Sequence, residues 1–266
     1  MKKQLTSVLL FSSLTAFAAE PTLEFASKSQ VEKVGKEFAA NFSHTVVSSS
    51  ETDGLWGVEV GLIGGTTSSP QLKKTVDASG GDGGDFKSLY NAALFTRVHV
   101  PFEIFVEASM LPEQEFSDVK MKNTTFGLGW NAGRYFNLPL DIALGANFGG
   151  ADASYKQEVD VGGTPTDSKI SLKTKSQVYY VGVSKNFLFV TPYAKLGVAK
   201  TEADFNVDVA GGTIFQYSGA QKESVSSSGS YFAAGLNFQV LVMRLGVEYA
   251  QTVGVSQMMG KFSLSF

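Results

Sequence analysis

The 266-residue sequence contains no cysteine. That absence removes disulfides, thiolate metal sites, a cysteine nucleophile and a lipidated N-terminal cysteine together. It also suits an oxidising compartment, where a spare thiol is a liability. Histidine is nearly as scarce, with only His44 and His99, so little is available for a histidine general base or a catalytic triad. Basic residues show no excess: 22 Lys and Arg face 25 Asp and Glu, for a net charge of -3. That balance leaves no electrostatic footprint for nucleic acid. Beyond the N-terminus, no stretch approaches the roughly 20 apolar residues that a membrane-spanning helix needs.

What is present begins with an address. Met1-Lys2-Lys3 is followed by an apolar run from Val8 to Ala18, and Ala16-Phe17-Ala18 is a small-x-small cleavage site. This is the pattern of an export signal, with Ala19 as the new N-terminus. Residues 1–18 are therefore expected to be a signal peptide, 19–54 a periplasmic helix and linker, and 55–266 the folded body.

From Leu55 onward the chain reads as about ten short segments with period-two alternation. Trp56, Val58, Val60 and Leu62 oppose Gly57, Glu59 and Gly61. Phe126, Leu128 and Trp130 oppose Gly127, Gly129 and Asn131. Met243, Leu245, Val247 and Tyr249 oppose Arg244, Gly246 and Glu248. A soluble β-sandwich also alternates, but three features favour an antiparallel transmembrane β-barrel. Tight joints, as at Val100-Pro101 and Gln239 to Leu241, alternate with long polar stretches at Thr66 to Ser88, Leu111 to Lys122, Asp152 to Leu172 and Thr201 to Ser228. Aromatic residues of the apolar face gather at segment ends, forming two girdles. Charges share the glycine face: Glu59, Arg97, Glu103, Glu107, Asp141, Lys195, Arg244 and Glu248 form a candidate lumen network. Arg97 and Glu103 are expected to be near-opposite across the Val100-Pro101 turn. Inward glycines such as Gly129, Gly145, Gly182, Gly235 and Gly246 leave room for bulky residues opposite or for a narrow cavity.

The final stretch Gly260-Lys261-Phe262-Ser263-Leu264-Ser265-Phe266 resembles the β-signal of the bacterial outer-membrane β-barrel superfamily. Gly260, Phe262, Leu264 and Phe266 are its assembly residues in that resemblance. More narrowly, the chain looks like uncharacterised barrels with a short N-terminal helix, through segments such as Phe126-Gly127-Leu128-Gly129-Trp130 and Thr191-Pro192-Tyr193-Ala194-Lys195-Leu196-Gly197. The resemblance implies a Gram-negative outer membrane with both termini periplasmic. It implies outer-membrane lipid, lipopolysaccharide and the barrel-assembly machinery as partners, with no cofactor and no metal.

Before the barrel, Val31, Val34, Phe38 and Phe42 form a narrow apolar stripe at helical spacing, and Ser27 with Gln30 fits a capping box. A helix packed at the periplasmic mouth is the simpler placement. A plug entering the lumen, as in fatty-acid-transporter-like barrels, is the sharper one. The loop Ser79-Gly80-Gly81-Asp82-Gly83-Gly84-Asp85 reads as flexible and external. Two non-enzymatic functions are open: a narrow channel or binding barrel for small or apolar solutes, and an envelope or surface-interaction barrel acting through its external loops.

Overall fold

The computed structural model describes residues 28–43, 46–51, 56–78, 83–116, 119–161, 164–209 and 221–266. The expected signal peptide, Ser27, His44 and the tip of the glycine loop lie outside these residues.

Ten antiparallel strands close into a barrel. They are β1 (Gly57–Ser68), β2 (Ser88–Val100), β3 (Ile104–Phe116), β4 (Val119–Asn131), β5 (Asp141–Val161), β6 (Thr164–Ser184), β7 (Val190–Val209), β8 (Gln221–Val240), β9 (Met243–Thr252) and β10 (Val255–Ser265). Each strand pairs with its neighbours in sequence, and β1 closes on β10 from Glu59↔Ser265 to Thr67↔Gln257. Alternation decides which way each side chain points. Val58, Val60 and Leu62 of β1, and Leu245, Val247 and Tyr249 of β9, stand exposed on the outer wall. Their neighbours Glu59, Arg244 and Glu248 are buried inside. An apolar exterior around a charged interior is the inverse of a soluble sandwich and belongs to a lipid surround.

One end of the barrel carries tight turns. Phe102 and Glu103 both adopt positive φ (69° and 61°) in the joint of Pro101, Phe102 and Glu103 that links the last β2–β3 pair, Val100↔Ile104. At the next turn a short helix, α3 (Ala132–Tyr135), starts where the Asn131 side chain accepts the Arg134 N–H at 3.0 Å, an N-cap. The other end departs from expectation. Leu111 to Lys122, Asp152 to Leu172 and much of Thr201 to Ser228 are not loops but continuing strand. The β5–β6 ladder runs unbroken from Asp141↔Ser184 to Val161↔Thr164. Beyond the last outward apolar pair, Phe148 and Tyr179, the hairpin still climbs from Gly149 to Val161, about 40 Å at roughly 3.4 Å per residue. Above the apolar band the outward face turns polar, as at Lys173, Lys175 and Gln177, while the inward face is mixed, as at Leu172, Thr174 and Ser176, so the apolar alternation that marks strands lower down fades from the sequence.

The first helix, α1 (Lys28–Asn41), lies inside the barrel toward this long-hairpin end. Its stripe residue Val34 is buried with Leu72, Val76, Phe86, Leu172 and Phe205, and Phe42 with Met121 and Ala151. In place of a helix resting at a barrel mouth, the structure packs α1 inside the barrel against apolar side chains of the lumen wall. Phe38 packs against both clusters; Val31 falls within α1, its side chain outside the described set. A second helix, α2 (Pro70–Ala78), follows β1 and packs on α1. Pro70 opens it at the position where a missing N–H costs nothing. The next two amides, of Gln71 and Leu72, donate to the Glu37 carboxylate of α1 at 2.8 and 2.9 Å. An anion thus satisfies orphan donors at a positive helix end. Burial pushes the Glu37 carboxyl above its ordinary range, against the opposing pull of those two amides and of Lys74. The described chain accordingly starts at the long-hairpin end and finishes at the tight-turn end, which departs from an arrangement with the helix beside the C-terminus.

Candidate functional site: the plugged lumen

After α1 the chain runs down the barrel axis as an extended segment. Val46, Val47, Ser48, Ser49 and Ser50 are all buried, and each finds the wall. Val46 packs with Ile63, Ala93 and Phe95. Ser48 Oγ donates to Glu107 Oε1 at 2.8 Å. The Ser49 carbonyl accepts from Arg97 Nη1 at 3.0 Å, and that of Ser50 from Asn131 Nδ2 at 2.9 Å. At the tight-turn end the Glu51 carboxylate accepts from Asn186 Nδ2 at 2.7 Å and Thr191 Oγ1 at 3.1 Å, while its carbonyl accepts from Arg97 Nη2 at 3.0 Å. Serine suits this strand of plug, since each short side chain and free peptide group meets a polar wall at close range.

The inward charges neutralise one another in three groups. Glu59 is a hub, with Lys261 Nζ at 2.8 Å, Ser263 Oγ at 2.6 Å and Arg244 Nη1 at 3.3 Å. Those partners sit on β10 and β9, so the hub staples the seam where the first strand meets the last. Glu248 accepts from Tyr193 Oη at 2.8 Å and Lys195 Nζ at 3.2 Å. Arg97 Nε lies 3.4 Å from Glu107 Oε1, with its guanidinium 4.3 Å from the Phe105 ring centroid, a cation–π contact. Of the eight network residues expected, six are thus brought together in the lumen. Glu103 is not among them: it occupies the β2–β3 turn and pairs with Arg134 at 3.5 Å, because the turn residue points away from the axis that Arg97 faces. Asp141 stands at the barrel end, accepting from Asn131 Nδ2 at 2.8 Å. Lys261, Tyr193 and Glu51 complete the network; their alternation phase marked the first two as inward, whereas nothing around Glu51 signals a lumen position.

The glycines make this filling possible. A Cβ at Gly129 would enter the Phe105 ring, at Gly145 the Tyr180 ring and at Gly235 the Tyr193 ring. At Gly182 it would lie 2.7 Å from Ser50 Oγ, and at Gly246 2.9 Å from Val47 Cγ1. Bulky rings and the plug, not a solute cavity, occupy that space. His99 is buried on β2, pointing inward. Of the residues expected to signal assembly, Phe262 is exposed on the outer wall of β10 and Phe266 is exposed just past its end. Phe266 and Val58 exchange backbone hydrogen bonds of 2.8 and 3.0 Å.

A closed antiparallel barrel with an apolar exterior, a paired ionic interior and its own N-terminal segment in the lumen is a plugged β-barrel of the outer-membrane type. Residues 79–260 match a family described as a family of unknown function (DUF6588), and the chain belongs to that family. Among curated protein sequences none matches. Solved structures similar to it include the attachment invasion locus protein Ail of Yersinia pestis in complex with a heparin analogue (14% identity, TM-score 0.35, covering 79% of this chain and 97% of that one). Others are the translocator domain of the autotransporter NalP from Neisseria meningitidis (8%, 0.43, 81% and 89%) and the N-terminal barrel of Pseudomonas aeruginosa OprF (12%, 0.29, 79% and 97%). At such identities and scores the likeness ends at the barrel.

Proposed function

We propose that this protein is an outer-membrane barrel closed along its axis, which acts through the surface it raises above the membrane. The filled lumen carries this reading. Glu59 (1% exposed) and Arg97 (2%) are shut away from solvent, whereas a water-filled porin lumen keeps its charges wet. The elongated β5–β6 and β7–β8 hairpins then supply the working surface, as a non-catalytic envelope or surface-interaction protein. In this orientation the hairpins face outward, Phe266 faces the periplasm and the assembly machinery, and the start of α1 faces outward. Residues 1–18 serve as the export address and are removed. Lys122, Lys175 and Lys200, exposed just above the apolar band, suit lipopolysaccharide phosphates.

Conductance tests the reading. Purified full-length protein in planar bilayers is expected to be silent, and replacing residues 153–171 by a short turn should keep the folded barrel while reproducing the phenotype of the complete deletion. Steady ion conductance by the full chain would overturn it.

A further inference from the structure

Between β2 and β3 the barrel wall parts. The two strands pair from Val100↔Ile104 to Leu94↔Met110 and no further, although β2 continues to Ser88 and β3 to Phe116. The next partner for Ala92 in that register is Pro112, which has no N–H to give to a ladder and sits at the bulge between Leu111 and Gln114. Unpaired strand edges at membrane level are costly unless something else serves them. The plug serves one: Asn41 Nδ2 reaches the Tyr90 carbonyl at 3.4 Å, and Asn91 Nδ2 donates to the Asn41 carbonyl at 2.9 Å.

Behind the seam lies a cavity of about 10 Å³ lined by Asn41, Ser43, Asn91, Ala92, Ser109 and Asn123 among others, with no charged side chain in its lining. Asn123 is 9% exposed, and its Oδ1 has no hydrogen-bond donor among the described residues. A buried amide oxygen left without a donor is costly, and the space in front of it fits a group the size of one water. On the lipid side, the lower lip is formed by Leu94 and Met110, 52% and 50% exposed at the top of the apolar band.

We propose that this recess is a lateral binding site for an amphiphile with an uncharged, hydrogen-bonding head. A hydroxyl enters between the plug and Asn123, donating to Oδ1, while the apolar tail lies over Leu94 and Met110 in the outer leaflet. Ionised heads are excluded, because no side chain lining the recess offers a counter-charge for a desolvated carboxylate. The site therefore selects fatty alcohols or monoacylglycerols over fatty-acid anions. It is reached from the membrane and needs no open lumen.

Methionine methyl NMR on the full chain in phosphatidylcholine nanodiscs tests this. With 1-monolauroylglycerol, the Met110 methyl should shift saturably, while that of Met243 at the opposite rim stays put. Laurate at neutral pH should not produce the Met110 shift. Asn123→Leu, checked for folding by gel mobility, should weaken the apparent affinity at least tenfold. Phosphatidylcholine has an ionised head and no hydroxyl, so a Met110 methyl that ignores the added probe and moves only when detergent replaces the disc lipid also overturns the proposal. A linear response, an equal response to laurate, an unchanged response in Asn123→Leu, or no response to either lipid source overturns the proposal.

Discussion

Glu59 illustrates what a single lumen residue does here. Its carboxylate holds two cations from two other strands, all in a water-excluded interior. A buried ion pair contributes little net stability against an apolar replacement, but losing one partner strands the others. Glu59→Gln leaves Lys261 and Arg244 buried without their counter-ion. We expect a loss of about 3–5 kcal/mol, read as a lower urea midpoint for unfolding from lipid vesicles. Lys122→Gln breaks an exposed pair with Asp152 and should cost less than about 1 kcal/mol. Equal losses for the two variants would contradict a dry lumen. These inward charges were legible from sequence because a two-residue period states the face of every strand residue; Glu103 misled because it occupies a turn, where that period has stopped.

At the scale of elements, α1 and the segment from Val46 to Glu51 determine how the barrel is used. The helical stripe was legible, but its destination was not: one narrow apolar face fits a barrel mouth as well as a lumen. What settles the placement is complementarity across long sequence distance, in Glu37 capping α2 and Ser50 filling the space at Gly182. The long hairpins were hidden for another reason, since above the apolar band a polar outward face meets a mixed inward one and the apolar alternation fades. In the proposed orientation the hairpins stand outside the cell and the start of α1 faces outward too. Because the chain has no native cysteine, Glu32→Cys, at an exposed position early in α1, should react on intact cells with a membrane-impermeant maleimide. Labelling only after the outer membrane is permeabilised would place the start of α1 on the periplasmic side.

The whole molecule joins two designs that the sequence shows separately: a ten-strand wall that faces lipid, and an N-terminal thread that fills the wall's interior. The wall was readable because lipid on one side and a crowded lumen on the other impose a strict pattern on every strand. The thread was not, because its polar half carries no period. Its presence inside the barrel is the central claim, and a cross-link tests it most directly. Gly182 and Ser50 lie within disulfide range, a Cβ on the former falling 2.7 Å from Oγ of the latter. The Ser50→Cys, Gly182→Cys double variant should form an intramolecular disulfide in the outer membrane, seen as a mobility change that a reductant reverses. Two thiols that stay free and accessible to maleimide would show that the lumen is not held by this segment.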